Sequence, residues 1–136
     1  FPRVTRLVSA IGLAIRENDR ESATRIFIDF WSGAGTFDSL GRNNRLMFTR
    51  LIDKVALDFK ILFEENLTLD DYAKIDYPVC MIKGEKSPAP SLEIFNTLSN
   101  TMADVSVHTV SGGHMSPVTH FKEVNPIIID FLKAFV

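Results

Sequence analysis

Three histidines, His108, His114 and His120, carry the side chains best suited to proton transfer or ligand binding in this sequence. His114 is the most informative of them, because it follows the alternating segment 105–110 across Ser111-Gly-Gly113. A period of two predicts a β-strand, and the glycines allow a tight turn that brings backbone close to another element. His114 is therefore expected on a loop at the carboxyl end of a strand, where ligands and catalytic groups of open α/β sheets collect.

Two other roles for His114 stay open. It could bond to backbone atoms of its own loop, which the flanking glycines do not exclude. It could also ligate a metal ion with His108 and His120, but their spacing suits no helix-borne zinc pattern. We therefore expect neither a metal site nor a cofactor.

The composition is that of an ordinary soluble domain, with 46% hydrophobic and 24% charged residues in a chain of 136. The net charge is -2 and the two signs are mixed along the chain, so we expect no nucleic-acid partner. No apolar run approaches the roughly 20 residues of a membrane span. The single cysteine, Cys80, favours a reducing, cytoplasmic location. The start at Phe1-Pro-Arg3 predicts that the chain begins inside a longer gene product.

The first part of the chain has the apolar spacing of helices. Three are predicted, over residues 4–15, from Asn18 to Ser32, and along an apolar face over 48–63 that is either core or partner-facing surface. Asn18 has Glu21 three residues later, as in a capping box. The segment 68–71 predicts one short helical turn. This part, residues 1–73, is expected to be all-helical.

The second part, residues 74–136, has a different pattern. Residues 77–83 are apolar on both faces, which predicts a strand buried on both sides of a parallel sheet. A helix from Pro90 or Ser91 leads to the strand 105–110, and Asn125-Pro126 is expected to open a terminal helix. We therefore predict an α/β fold with a βαβα unit, its strands parallel and its crossover right-handed.

Two strands alone make a poor sheet. A strand that is apolar on both faces needs parallel neighbours and helices on both sides. The chain is therefore expected either to pair with a second copy or to have lost its other strands, and a homodimer is expected in either case.

Two segments carry a family resemblance. Residues 77–84, Tyr-Pro-Val-Cys-Met-Ile-Lys-Gly, and Val110-Ser-Gly-Gly-His114 with the following apolar helix resemble the last third of an α/β-hydrolase. The corresponding family patterns are P-V-L-x-I-x-G in the penultimate core strand and V-x-G-x-G-H before the closing helix. Residues 25–35 look like part of the cap inserted between core strands in many of these enzymes. The resemblance implies an α/β-hydrolase C-terminal fragment, a helical cap followed by the last two core strands.

The resemblance implies cleavage of an ester or similar bond by a nucleophile, a histidine and an acid. His114 is implied as the general base, which takes the proton of the nucleophile and later activates water. The sequence has no G-x-S-x-G elbow, and neither Ser32 nor Ser111 has strand-to-helix context. The nucleophile is therefore expected in a missing N-terminal half of the fold, and the isolated chain is expected to be inactive.

The position of the acid is open. Many family members place Asp three residues after the strand-ending glycine, and here that residue is Ser87. Glu85 could replace it only if the loop turns its carboxylate towards His114. Alternatively, the acid follows an earlier strand outside this chain.

An apolar, ester-like small molecule is the implied substrate. Phe30, Trp31 and Phe37 either belong to the core or line an acyl or alkyl pocket beneath the cap, and Met115 lines a pocket or merely packs. A non-catalytic binding or dimerisation module is the alternative function. An unrelated small α+β domain is a third hypothesis, favoured if residues 78–83 are helical or if His114 lies far from a strand end.

Overall fold

The computed structural model describes residues 2–135, which form two compact units with their boundary in the chain between Asn66 and Leu67. The helical unit, residues 2–66, contains helices only, and the sheet unit, residues 67–135, combines helices with two parallel strands. This mixture of helices and parallel strands agrees with the predicted α/β class.

The helical unit is built around three packed helices. Its elements are α1 (Pro2–Arg16), α2 (Arg20–Ser32), α3 (Thr36–Ser39) and α4 (Arg42–Phe63). Ile11, Ala23 and Ile52, from α1, α2 and α4, are almost fully buried in one cluster. Phe27 and Phe59 meet edge to face, with ring centroids 6.2 Å apart. This unit therefore has a closed apolar core of its own.

The start of α2 differs from the prediction by one residue. Asp19, not Asn18, is the N-cap, and its Oδ1 accepts a hydrogen bond from the backbone N–H of Ser22 at 3.0 Å. Asn18 has φ 61°, the left-handed conformation that asparagine tolerates better than most residues. Asn18 therefore closes the turn from α1, and the carboxylate next to it caps α2.

The predicted apolar face of α4 is only partly buried. Ile52 and Phe59 are in the core, whereas Leu51, Leu62 and Phe63 are 48%, 67% and 55% exposed. One stripe of α4 is therefore core, and the exposed apolar residues beside it leave a partner-facing role as a prediction.

The sheet unit follows the predicted order of elements. They are α5 (Leu69–Ala73), β1 (Val79–Gly84), α6 (Ala89–Thr101), β2 (Val105–Val110), α7 (Ser116–Thr119) and α8 (Phe121–Lys133). The two strands are parallel, with a register from Val79↔Val105 to Gly84↔Val110. The short helix α5 begins with a capping box formed by Thr68 and Asp71. The predicted strands and their direction are confirmed.

The terminal helix begins earlier than its local signals predict. α8 starts at Phe121, and Pro126 lies inside it rather than at its first turn. The C=O of His120 accepts the N–H groups of Glu123 and Val124 at 2.9 and 3.1 Å, which forms the first turn. Val124 is 3% exposed, so its burial outweighs the local preference for a start at Asn125.

The sheet has an open edge. In the described part of the chain β1 has one strand neighbour, β2, and it is half-buried rather than buried on both sides as predicted. Val79 N–H donates to Asp104 C=O and Glu85 N–H donates to Val110 C=O, each at 2.9 Å. Alternate residues of a strand form hydrogen bonds with the same neighbouring strand. Val79 and Glu85 bond on the side of β2, so the backbone N–H and C=O groups of Cys80 and Ile82 point to the opposite side.

Candidate functional site

The loops after the two strands run side by side at the carboxyl edge of the sheet. Lys86 N–H donates to Gly112 C=O at 3.0 Å, which extends the hydrogen bonding of the strands into the loops. Side chains that follow β1 and β2 are thereby brought to one place, as the sequence predicted for the carboxyl ends of parallel strands.

Two glycines permit this close approach. A Cβ atom at Gly84 would overlap the carbonyl oxygens of Gly112 and Gly113. A Cβ atom at Gly112 would overlap Ser116 Oγ and His120 Nδ1. The predicted tight packing of backbone at this turn is therefore confirmed, and the reason is lack of space rather than an unusual φ.

The loop that carries His114 is anchored at its start by Glu123, a residue that the sequence analysis missed. Ser111 donates to the Glu123 carboxylate twice, from Oγ at 2.6 Å and from its backbone N–H at 2.9 Å. These two bonds hold the pKa of Glu123 below its ordinary value. The sequence signal was an acidic residue in a first helical turn, and it was hidden because α8 was expected to start later.

His114 is the fourth residue after the end of β2 at Val110. Its Nδ1 lies 3.3 Å from Oγ of Ser91, in the first turn of α6. The imidazole is exposed, and partial desolvation by its neighbours lowers the pKa of His114 below its ordinary value of 6.5. A lowered pKa favours the neutral imidazole, which is the form that can accept a proton.

His114 borders an apolar groove of about 570 Å³ that lies wholly within the sheet unit. Its lining side chains come from β1, α6 and α8, and include Cys80, Ile82, Leu92, Phe95, Val124, Ile128, Phe131 and Leu132. The strand that lines it is β1, with Cys80, Ile82, Lys83 and Gly84. The volume is within the range of small-molecule sites.

Residues near the predicted acid position and next to His114 differ in their surroundings. Ser87 lines the groove together with His114 and Ser91. Glu85 is exposed, and its Oε1 lies 3.8 Å from Lys86 Nζ. Met115, next to His114, is 44% exposed. Ser91, which the sequence analysis used only as a possible helix start, is thus the side chain that meets His114 Nδ1; the roles of Glu85 and Met115 stay predictions.

The three aromatic candidates for a substrate pocket lie in the helical unit. Phe37 is fully buried, beneath the Arg25 guanidinium at 4.6 Å from the ring centroid, and its N–H donates to Asp29 Oδ1 at 2.9 Å. Phe30 and Trp31 meet edge to face at 4.9 Å and pack against the core of that unit. These contacts favour the core role for Phe37, and a pocket role for Phe30 and Trp31 stays a prediction.

Within residues 2–135, no group of three or more His, Cys, Asp or Glu side chains is arranged to hold a metal ion. Over the same residues, every helix is too short or too polar to cross a membrane.

No family model, no curated protein and no solved structure matches the chain. The interpretation of the site therefore depends on its own geometry and chemistry.

Proposed function

We propose that this chain is the C-terminal portion of an α/β-hydrolase that cleaves an ester or similar bond, with His114 as its general base. The observation that carries the proposal is the position of His114, on the loop after the second of two parallel strands and at the border of an apolar groove. β1 is a strand and His114 lies close to the end of β2, so neither condition that would favour an unrelated α+β domain is met.

His114 would act through its neutral imidazole. It would take the proton of the nucleophile during attack on the carbonyl carbon and return it to the leaving group, then repeat the transfer with water. The lowered pKa of His114 supports this role, because an imidazolium at pH 7 has no lone pair with which to accept a proton.

The groove supports an apolar substrate. Leu92, Phe95 and Ile128 offer hydrocarbon surface to an acyl or alkyl chain, and His114, Ser87 and Ser91 supply polar groups at one border. An apolar ester-like small molecule is therefore the proposed substrate class. The proposal includes a cytoplasmic location, which rests on the single cysteine.

The nucleophile and the oxyanion donors would come from a missing N-terminal half of the fold. The open edge of β1 supports this partner, since Cys80 and Ile82 have backbone groups directed to a side where the described chain provides no strand. A neighbouring strand would satisfy these groups and complete the sheet. Acyl transfer needs an activated nucleophile and oxyanion donors, so the chain alone is proposed to be inactive.

The first test is the reading frame upstream of the Phe1 codon. An apolar strand followed by G-x-S-x-G or G-x-D-x-G supports the proposal, and the nucleophile type then separates esterase-like from dehalogenase-like or epoxide-hydrolase-like chemistry. A reading frame without a nucleophile elbow overturns it.

The second test uses the polypeptide encoded by that whole frame, assayed with p-nitrophenyl acetate and butyrate. His114→Ala is expected to lower kcat by at least about 10³-fold, whereas the matched control His108→Ala, in the middle of β2, leaves it unchanged. Full activity of His114→Ala, or His114-dependent turnover by residues 1–136 alone, contradicts the proposal.

The open edge also favours a second candidate function, a non-catalytic module that dimerises through β1. Pairing of β1 with its copy would make one continuous sheet from two chains. Sedimentation at micromolar concentration distinguishes the two, because a dimer weakened by Ile82→Lys but not by Leu51→Lys locates the contact at this edge. A monomeric mass rules this candidate out.

A further inference from the structure

Lys83 brings a positive charge to the apolar groove. Among the described residues that line the groove, it is the one lysine or arginine, and no aspartate or glutamate accompanies it. Lys83 is also the one charged residue of β1, and it is half-buried. Its ammonium therefore carries a charge into surroundings that are otherwise mostly apolar, and the chemistry of the groove is not that of a purely apolar site.

The ammonium of Lys83 lies against α6. Its Nζ is 4.8 Å from the ring centroid of Phe95, a buried residue that also lines the groove. The same Nζ donates to Asn96 Oδ1 at 3.4 Å, and Asn96 is exposed. The charge is therefore held where a buried aromatic ring meets the surface. An ammonium has three N–H donors, so this contact with Asn96 leaves two for another acceptor.

No carboxylate of residues 2–135 forms an ion pair with Lys83. Glu85, two residues further on, lies 3.8 Å from the Nζ of Lys86 instead. Glu123 accepts the two hydrogen bonds of Ser111. A partly buried charge without a counter-charge costs free energy, and an anion bound beside it would offset that cost.

We propose that the groove binds an amphiphilic carboxylate, with the hydrocarbon chain against Leu92, Phe95 and Ile128 and the carboxylate at Lys83. The two remaining N–H donors of the ammonium bond to the carboxylate oxygens, and such charge-assisted bonds are stronger than neutral ones. Binding itself needs no catalysis. Its meaning for catalysis rests on the proposed function, because hydrolysis of an apolar ester gives an alcohol and a carboxylic acid, which ionises at neutral pH.

The head group, not the chain, distinguishes this ligand from other apolar molecules. Octanoate, 1-octanol and octylammonium offer similar hydrocarbon chains to the groove, so the hydrophobic contribution to binding is similar for all three. Their head groups are negative, neutral and positive. A carboxylate costs more to remove from water than a hydroxyl, so a preference for octanoate over 1-octanol has to come from a positive charge of the protein.

The test is a ¹H–¹⁵N NMR titration of the chain of residues 1–136 with these three compounds, each below the concentration at which it aggregates. The titration is run at pH 8, where the imidazole of His114 is neutral and adds no positive charge. Amide shifts of Ile82, Phe95 and Ile128 locate the ligand in the groove. Leu51, an exposed apolar residue of the helical unit, reports binding to apolar surface in general.

Octanoate is expected to bind the wild type about tenfold more tightly than 1-octanol, and octylammonium more weakly than either. Lys83→Met keeps a long side chain over Phe95 and removes the preference, whereas Lys83→Arg keeps it. Lys83→Glu reverses it in favour of octylammonium. The matched control Lys86→Met, at a lysine that does not line the groove, leaves it unchanged. If Lys83→Met does not fold, Lys83→Arg and Lys83→Glu decide the test.

Three outcomes overturn the inference: groove amides that octanoate does not shift, equal affinities of the wild type for octanoate and 1-octanol, or a preference that Lys83→Met retains. Any of them leaves the proposed function standing if His114→Ala still abolishes turnover by the whole polypeptide. Conversely, if Lys83 determines the preference but the upstream reading frame has no nucleophile elbow, the carboxylate site is real and the proposed function is wrong.

Discussion

The helical unit and the sheet unit differ in how completely each buries its own apolar residues. In the helical unit, Ile11, Ala23 and Ile52 come from three helices and are at most 1% exposed. In the sheet unit, the two strands are mostly half-buried, Val107 is 50% exposed, and an apolar groove follows β1.

The difference in burial between the two units follows from the type of secondary structure in each. Helices satisfy their backbone groups internally, so three amphipathic helices can close a core by side-chain packing alone. A parallel strand needs a neighbour at each edge and cover on both faces, which a two-stranded sheet cannot supply. The helical unit therefore closes a core of its own, although α4 keeps an exposed apolar surface, whereas the sheet of the other unit has an edge without a neighbouring strand among the described residues.

The largest effect is expected from a cavity in the closed core. Ile52→Ala, at a residue 1% exposed, should lower the free energy of unfolding by about 2–5 kcal/mol, measured by urea denaturation. The control Leu51→Ala, one residue away and 48% exposed, should change it by less than about 0.5 kcal/mol. Equal effects of the two substitutions would show that α4 does not bury the Ile52 side, and the contrast between the units would fail.

A smaller effect is expected from added methyl groups at glycines of the two units. Gly112→Ala places a Cβ atom against Ser116 Oγ and His120 Nδ1, so it should destabilise the sheet unit by about 1–3 kcal/mol. Gly12→Ala, in the interior of α1 with ordinary contact to Arg16, should stabilise the helical unit by about 0.5–1 kcal/mol. Thermal unfolding followed by circular dichroism measures both, and a Gly112→Ala variant that is at least as stable as the wild type would contradict the described packing at Gly112.

The open edge predicts an alternation in amide hydrogen exchange along β1. Met81 and Lys83 address β2 and should exchange slowly, whereas Cys80 and Ile82 should exchange about tenfold faster, the equivalent of roughly 1 kcal/mol for one hydrogen bond. Uniform protection of all four amides at high protein concentration would mean that another strand occupies the edge. In that case the sheet unit completes itself by association, and the contrast with the helical unit applies to the monomer alone.

The smallest effect is a pH dependence of the sheet unit near neutrality. Because partial desolvation places the pKa of His114 below 6.5, the folded state binds fewer protons than the unfolded state as the pH falls through 6.5. The contribution of the neutral His114 to the free energy of unfolding is complete above pH 6.5. It is lost progressively as the pH falls from 6.5 to the pKa of His114 in the folded state. His114→Gln should flatten the stability curve in this window, measured as the urea midpoint between pH 7.5 and 5.

The carboxylate of Glu123 affects stability in a separate, lower pH range. The pKa of Glu123 is lowered by its bonds to Ser111, so its stabilisation is present above 4.5 and is lost at lower pH. A His114→Gln variant with the wild-type slope between pH 7.5 and 5 would refute the partial desolvation of the imidazole.

The sequence by itself determined the order and type of the main elements. Periods of 3.6 and two located α1, α2, α4 and β2, because side-chain periodicity is a property of the local backbone, and a short run that is apolar on both faces located β1. It also placed His114 on a loop after a strand, since Gly112 and Gly113 end the alternation there.

Only the tertiary structure determined which of the competing capping residues begins a helix. Because Val124 is buried, α8 begins before Asn125. Because Asn18 has the left-handed conformation, Asp19 is the N-cap of α2. Contacts between residues distant in sequence were also beyond the sequence, such as Ser91 with His114 and Ser111 with Glu123. The reason is that a periodic pattern records how one segment meets its surroundings, whereas the partner of a polar side chain depends on how separate segments pack together.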